Sequence, residues 1–373
     1  MLIHRVKAGE TLYSISREYG VSPRKTAEIN GLRNPDKMAV GRELLILFPT
    51  RTYTARRGDT VEAVSKRFSV AKEEILKNNP SLLGSDKIYP EEILSLGYCD
   101  RMRGAALIEG YLYNGCPKDI LSRTIPYLSS LSVSSSVWER EKLRTLFSFK
   151  GQDIRKSGKE IRQRIYCPSP YSENDFNERV AEGFVKKAYE EGYSGITISA
   201  PRAVCEENFL KFLSHIKNLL GENRMSLTLE CDGDIPTKIS SLADRLVLTD
   251  GNDRDADFYH SFTERHGASR TVMDISPFAS LCGEAVPIEE ALAYIDERGI
   301  PLKFAEESGE CVGAIGEKEI RIPSLEKTKA RLDLIGELGL LGAAIDIMRC
   351  PQSIIMMLSA MYEINPSYFS GGM

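Results

Sequence analysis

The chain's 373 residues are 42% hydrophobic and 27% charged, which supplies more than one core and excludes a disordered chain. A net charge of −4, split between a mildly basic front (16 Lys+Arg against 12 Asp+Glu in residues 1–98) and a mildly acidic rear, excludes the polybasic footprint of a nucleic-acid binder. No run reaches the roughly 18 apolar residues of a membrane span, because Leu338 to Met348 is short and broken by glycines and Asp346.

The chain opens on MLIHRVKAGE, which has neither the apolar stretch nor the cleavage site of a secretory signal, so synthesis in a cytoplasm is expected. An internal repeat follows at once. HRVKAGETLYSISREYGVSPRKTAEINGL (4–32) is echoed by YTARRGDTVEAVSKRFSVAKEEILKNNPSL (53–82), with Gly9 and Gly58 at the same point, 49 residues apart. Each unit reads as strand, helix, helix, strand. Leu12, Ile15 and Tyr19 share one helical face in the first unit, and Val61, Val64 and Phe68 repeat that spacing in the second. Ser22 before Pro23 marks a helix start, and apolar runs at 44–48 and 93–96 close the units.

These residues resemble the LysM family. The resemblance rests on V-K-x-G-[DE]-T, on the downstream Asn30 and Asn79, and on a closing turn, MAVGREL (38–44) and IYPEEIL (88–94), where Glu91 replaces the usual glycine. LysM modules bind β-1,4-linked N-acetylglucosamine polymers, so the resemblance implies peptidoglycan or a chitin-like glycan as partner. It implies a groove between two loops in each module, at residues 1–50 and 51–98. In the first these are Gly9, Glu10, Thr11 and Leu12 with Asn30, Gly31 and Leu32. In the second they are Gly58, Asp59, Thr60 and Val61 with Asn79, Pro80 and Leu82. Backbone amides at a helix start can meet acetamido carbonyls; equally, Thr11, Thr60 and Asp59 can serve as helix caps.

Residues 99–373 have the size of a (β/α)8 barrel. Short β-rich runs at 106–113, 128–137, 160–167, 194–200, 224–231, 244–249, 269–276 and 341–348 alternate with amphipathic segments such as 176–193, 207–221 and 324–339. That alternation predicts an α/β fold, a TIM barrel of eight parallel strands, with a small α+β insertion at about 278–323 whose β segment covers 302–323. The eight cysteines show neither C-x-x-C nor metal spacing, and the four histidines show no ligand spacing, so reduced thiols and no metal or cofactor are expected.

The barrel resembles glycoside hydrolase family 18, especially the branch fused to tandem LysM modules in spore-cortex-lytic N-acetylglucosaminidases of endospore formers. IEGYLY at the first strand, TIPYLSSLSVSS at the second, KKAYEEGYSGITIS at the fourth and KTKARLDLIGELGLLGAAID into the eighth carry it. Active members of that family have D-G-x-D-x-D-x-E on the fourth strand, whose final Glu is the acid in a substrate-assisted mechanism. Here Ser194, Thr197 and Ser199 stand at the aspartate positions and Pro201 at the acid, and proline has no proton to give. Asp250 stands where the family's tyrosine is expected and Asp346 where its tryptophan floor is expected. The only tryptophan is Trp138. Glu109, Glu230, Asp232, Asp250, Asp274 and Asp346 fall near strand ends, and Glu230 is the one candidate for a relocated acid. Such carboxylates need compensating partners, and Arg202 and Arg349 lie nearest in strand order. The expectation is a spore- or cell-wall-associated glycan binder. Its barrel has lost catalysis and serves as a structural or interaction platform, with envelope or coat proteins as partners; the alternative is an active hydrolase using Glu230.

Overall fold

A computed structural model describes residues 1–83, 87–98, 103–139, 142–146, 158–166, 176–199, 206–233, 235–249, 254–275 and 277–364. In the first repeat, strand Leu2–Arg5 pairs antiparallel with Glu43–Ile46 around helices Leu12–Glu18 and Pro23–Ile29. In the second, Pro49–Thr54 pairs with Ile93–Tyr98 around Val61–Phe68 and Lys72–Asn78. Local chemistry starts these helices. The Thr11 hydroxyl accepts from Ser14 N while Ser14 reaches back to Thr11 N, and Thr60 accepts from Ala63 N. The helical faces read from the sequence then bury Leu12 and Ile15 in one small core and Val61 and Val64 in the other.

The rear half is a closed barrel. Eight parallel strands follow in chain order, Ala105–Leu112, Ser130–Glu139, Glu160–Tyr166, Gly195–Ser199, Ser226–Cys231, Arg245–Leu248, Thr271–Asp274 and Gly342–Asp346. The eighth bonds back to the first, from Gly342 opposite Leu107 to Asp346 opposite Tyr111. Helices lie between them, and none among the described residues is long and apolar enough to cross a membrane. Trp138 packs on the outside of the sheet against Phe176, Phe184 and Phe212, with ring centroids 5.0–5.2 Å away. It is a core residue at 3% exposure, unavailable as a sugar platform.

The insertion is larger in its β part than the sequence suggests. Its sheet includes Lys303–Ala305, Glu310–Ile315 and Lys318–Pro323, but also the hairpin Phe278–Leu281 and Glu284–Pro287, all beneath helix Ile288–Arg298. This unit receives the first repeat. Leu302 N donates to Val40 O at 2.8 Å, Arg42 pairs with Asp296, and Asp296 Oδ1 accepts from Ala39 N at 3.0 Å. Burial pulls the Arg42 guanidinium down to about 10. Arg5 bridges Glu43 and Glu326 at 3.0 and 2.6 Å while Glu43 accepts from Leu325 N at 2.6 Å. The second repeat docks elsewhere, through Tyr127 Oη donating to Lys77 O at 2.6 Å.

Candidate functional site

Inside the barrel the polar residues form two stacked layers where hydrophobic side chains are customary. In the lower layer Glu160 accepts from Arg162 and Arg245 at 2.9 and 3.0 Å, Arg162 donates to Thr228 at 2.8 Å, and Ser132 donates to Glu109. Burial works against the Glu160 charge, but the two guanidinium groups outweigh it and hold that carboxyl below its ordinary value. Thr197 belongs to this layer, fully buried with its hydroxyl 3.1 Å from Ser132 Oγ. Ser194 precedes the strand and donates to Ile161 O at 2.9 Å.

The upper layer lies toward the mouth. Arg164 donates in a fork to Glu230, Nε to Oε1 at 2.6 Å and Nη2 to Oε2 at 2.8 Å. Ser199 adds a third bond to Glu230 Oε2 at 2.7 Å. The guanidinium also donates to Ser134 and Tyr113 and lies over the Tyr111 ring, 4.7 Å from its centroid. Burial disfavours that cation, yet Glu230 dominates and drives the Arg164 value well above the ordinary one. Glu230 is 3% exposed. Both Glu230 oxygens bond the buried Arg164 cation, so the carboxylate serves as its counter-ion. Arg164 is the arginine that satisfies Glu230; Arg202, expected as a partner, lies outside the described residues together with Pro201 and Asp250. Arg349 does approach Asp346, at 3.6 Å, and Asp346 also accepts from Met348 N at 2.9 Å. Burial raises the Asp346 carboxyl in spite of these contacts.

The repeat loops divide into open and sequestered residues. Gly9 and Gly58 are exposed at φ of 83° and 87°, and a side chain at either would meet open space. Thr11 and Thr60 are exposed, while Glu10 and Asp59 are partly so. Asn30 and Asn79, expected to face the sugar, are buried and fully engaged by their own backbone. Asn30 Nδ2 donates to Thr26 O and Leu45 O while Oδ1 accepts from Leu45 N, and Asn79 repeats this with Ile75 O, Ser95 O and Ser95 N. Each asparagine fastens the second helix to the closing strand. Leu12, Val61 and Leu82 are likewise core residues, at 4%, 2% and 1% exposure, because their helical faces point inward. These five side chains are therefore buried rather than presented at the surface. Gly31 is exposed, and Leu32 and Pro80 are partly so.

Residues 4–47 and 53–97 each match the LysM domain model. The chain carries two LysM domains. Over 98% of its length it is similar in fold to the Bacillus megaterium QM B1551 spore cortex-lytic enzyme SleL, with a TM-score of 0.74, 16% identity and 99% of that chain covered. A glycoside hydrolase family 18 N-acetylglucosaminidase from Paenibacillus barengoltzii matches 69% of this chain and all of its own, with a TM-score of 0.56 at 12% identity. The barrel is thus of the family 18 type in fold. An endolysin of Bacillus phage B103 is 28% identical over 98 residues, 25% of this chain and 37% of that protein. The chain spans about a third of the length of the curated relatives it matches.

Sequence reasoning missed Arg164. The signal was present in EIRQRIY, where Glu160, Arg162 and Arg164 alternate along one strand and so share the inward face. Three charges in that register announce a polar barrel interior.

Proposed function

We propose that this chain is a glycan-binding protein of the bacterial envelope or spore, holding peptidoglycan or a related N-acetylglucosamine polymer through its LysM domains at 1–50 and 51–98. The barrel, from residue 99 onward, is a non-hydrolytic platform that meets envelope or coat proteins. The fork of Arg164 on Glu230 carries the second half of this reading, because it occupies the carboxylate best placed to replace the family acid. The open first loops, with bare backbone at Gly9 and Gly58, support the first half. Likeness in fold to a spore cortex-lytic enzyme and in sequence to an endolysin supports the setting.

The test is a pull-down of the full chain with insoluble cortex peptidoglycan and chitin, followed by mass spectrometry for released sugars. The protein is expected to pellet with the glycan and release nothing. Loss of a general acid alone typically costs about 10²–10⁴ in rate, and Pro201→Glu combined with Ser199→Asp is also expected to stay inactive, because Asp250 stands where the family has a neutral hydroxyl donor. Turnover by the unmodified chain that vanishes in Glu230→Gln would overturn the non-hydrolytic reading.

A further inference from the structure

The second loops of the two LysM domains open onto a shared space. Gly31 of the first domain and Pro80 and Ser81 of the second line one cavity of about 340 Å³, and barrel residues including Arg123, Met348 and Gln352 complete its wall. Ser81 N donates to Glu28 Oε1, which ties the two domains together at its edge. Met348, just beyond the eighth strand, is 38% exposed. Gln352 Nε2 is buried without an acceptor at hydrogen-bonding geometry, although the Tyr127 hydroxyl lies beside that side chain. The chemistry is that of a sugar subsite: the Met348 thioether for ring C–H groups or an acetamido methyl, and the Arg123 guanidinium and the Glu28 and Glu289 carboxylates for hydroxyls. Gly31, exposed at φ of 58°, brings its backbone to the wall, where a Cβ would lie 3.2 Å from the Glu289 carboxylate.

We propose that this cavity is a composite glycan subsite, in which one N-acetylglucosamine polymer touches both LysM domains and the barrel wall at once. This rests on the glycan-binding function above and extends it, since it gives the barrel a direct part in recognition. Its consequence is that both domains act on the same strand in a fixed geometry, so affinity rises with oligomer length beyond what one loop pair supplies.

The experiment is calorimetric titration of the full chain with chitin trimer and hexamer. Wild type is compared with Arg123→Ala, Met348→Ala and Gln352→Leu, each checked for an unchanged melting temperature. Each variant is expected to weaken hexamer binding roughly three- to ten-fold, the range of one lost contact. Gly9→Asn and Gly58→Asn serve as groove controls, since asparagine tolerates positive φ. If the wall variants bind the hexamer as tightly as wild type while the controls weaken it, the composite subsite is wrong and the LysM reading stands. If wild type binds neither oligomer, the LysM reading fails and takes the subsite with it.

Discussion

In both LysM domains the turn before the closing strand makes the same pair of backbone hydrogen bonds. Gly41 N reaches Val6 O and Val6 N reaches Arg42 O in the first; Glu91 N reaches Ala55 O and Ala55 N reaches Glu92 O in the second. Both turns need positive φ, 83° at Gly41 and 67° at Glu91. What differs is the neighbour. A Cβ at Gly41 would run into the Leu302 carbonyl of the insertion, whereas the second turn presents Tyr89, 62% exposed, to solvent. Glu43, buried against Arg5 and Leu325 N, corresponds to Ile93, which is 45% exposed. Glycine at 41 is therefore fixed by close approach as much as by the turn, and removing the approach lets glutamate stand at 91.

The sharpest way to break this comparison is Arg42→Ala. It leaves Asp296 buried, with side chains only 5% and 12% exposed across the pair, so unfolding free energy is expected to fall by about 3–5 kcal/mol in urea titration. Glu92→Ala, at the matching position, loses a bond from Tyr89 N and a contact 3.8 Å from the exposed Arg24, and is expected to cost about 1 kcal/mol. Equal losses would mean that the first domain is not specially docked. Next in size is Gly41→Ala. Overpacking against the Leu302 backbone and the left-handed φ together are expected to cost about 2–4 kcal/mol in the same assay.

The repeat and all eight barrel strands were legible because both arise from local periodicity: apolar residues at i, i+3, i+7 in the LysM helices, and β-rich runs alternating with helices behind them. Contacts across long separations were not. Arg164 finds Glu230 66 positions away, and Arg42 finds Asp296 254 positions away, with nothing local to either arginine that names its partner. The hairpin Phe278–Leu281 with Glu284–Pro287 escaped the β reading because four-residue strands carry little pattern. Asn30 and Asn79 teach a different limit. Their position was legible from the repeat, but whether an asparagine faces a sugar or its own backbone depends on side-chain direction, which spacing does not encode.

A smaller effect of opposite sign is expected from Glu91→Gly. Restoring glycine relieves a left-handed residue at φ of 67° but loosens the unfolded chain, so the net gain is up to about 1 kcal/mol. A loss of stability instead would mean that the Glu91 side chain holds the second turn, and the two turns would differ by more than their neighbours.

The finest difference is electrostatic. Glu10 and Asp59 occupy the same repeat position, and each accepts from the backbone N–H three residues earlier, Lys7 N and Arg56 N, both at 2.7 Å. Their side-chain partners differ: His4 Nε2 at 2.8 Å for Glu10, the Tyr53 hydroxyl at 2.5 Å for Asp59. Burial pushes the Glu10 carboxyl up, but the Lys7 backbone bond and then His4 bring it below its ordinary 4.5. At Asp59 the Tyr53 hydroxyl is the leading cause and the Arg56 backbone the second, holding it below 3.8. Both folded values are depressed, so each carboxylate contributes stability that is present above its ordinary value and lost as pH falls through the depressed one. Tyr53→Phe removes the leading cause at Asp59, whereas His4→Phe leaves the stronger backbone bond to Glu10 in place. Carboxyl titration by NMR is expected to show the Asp59 midpoint rising further in Tyr53→Phe than the Glu10 midpoint rises in His4→Phe. Shifts of equal size would mean that the side-chain partner matters alike in the two domains, and the division between a backbone-held and a side-chain-held carboxylate would be lost.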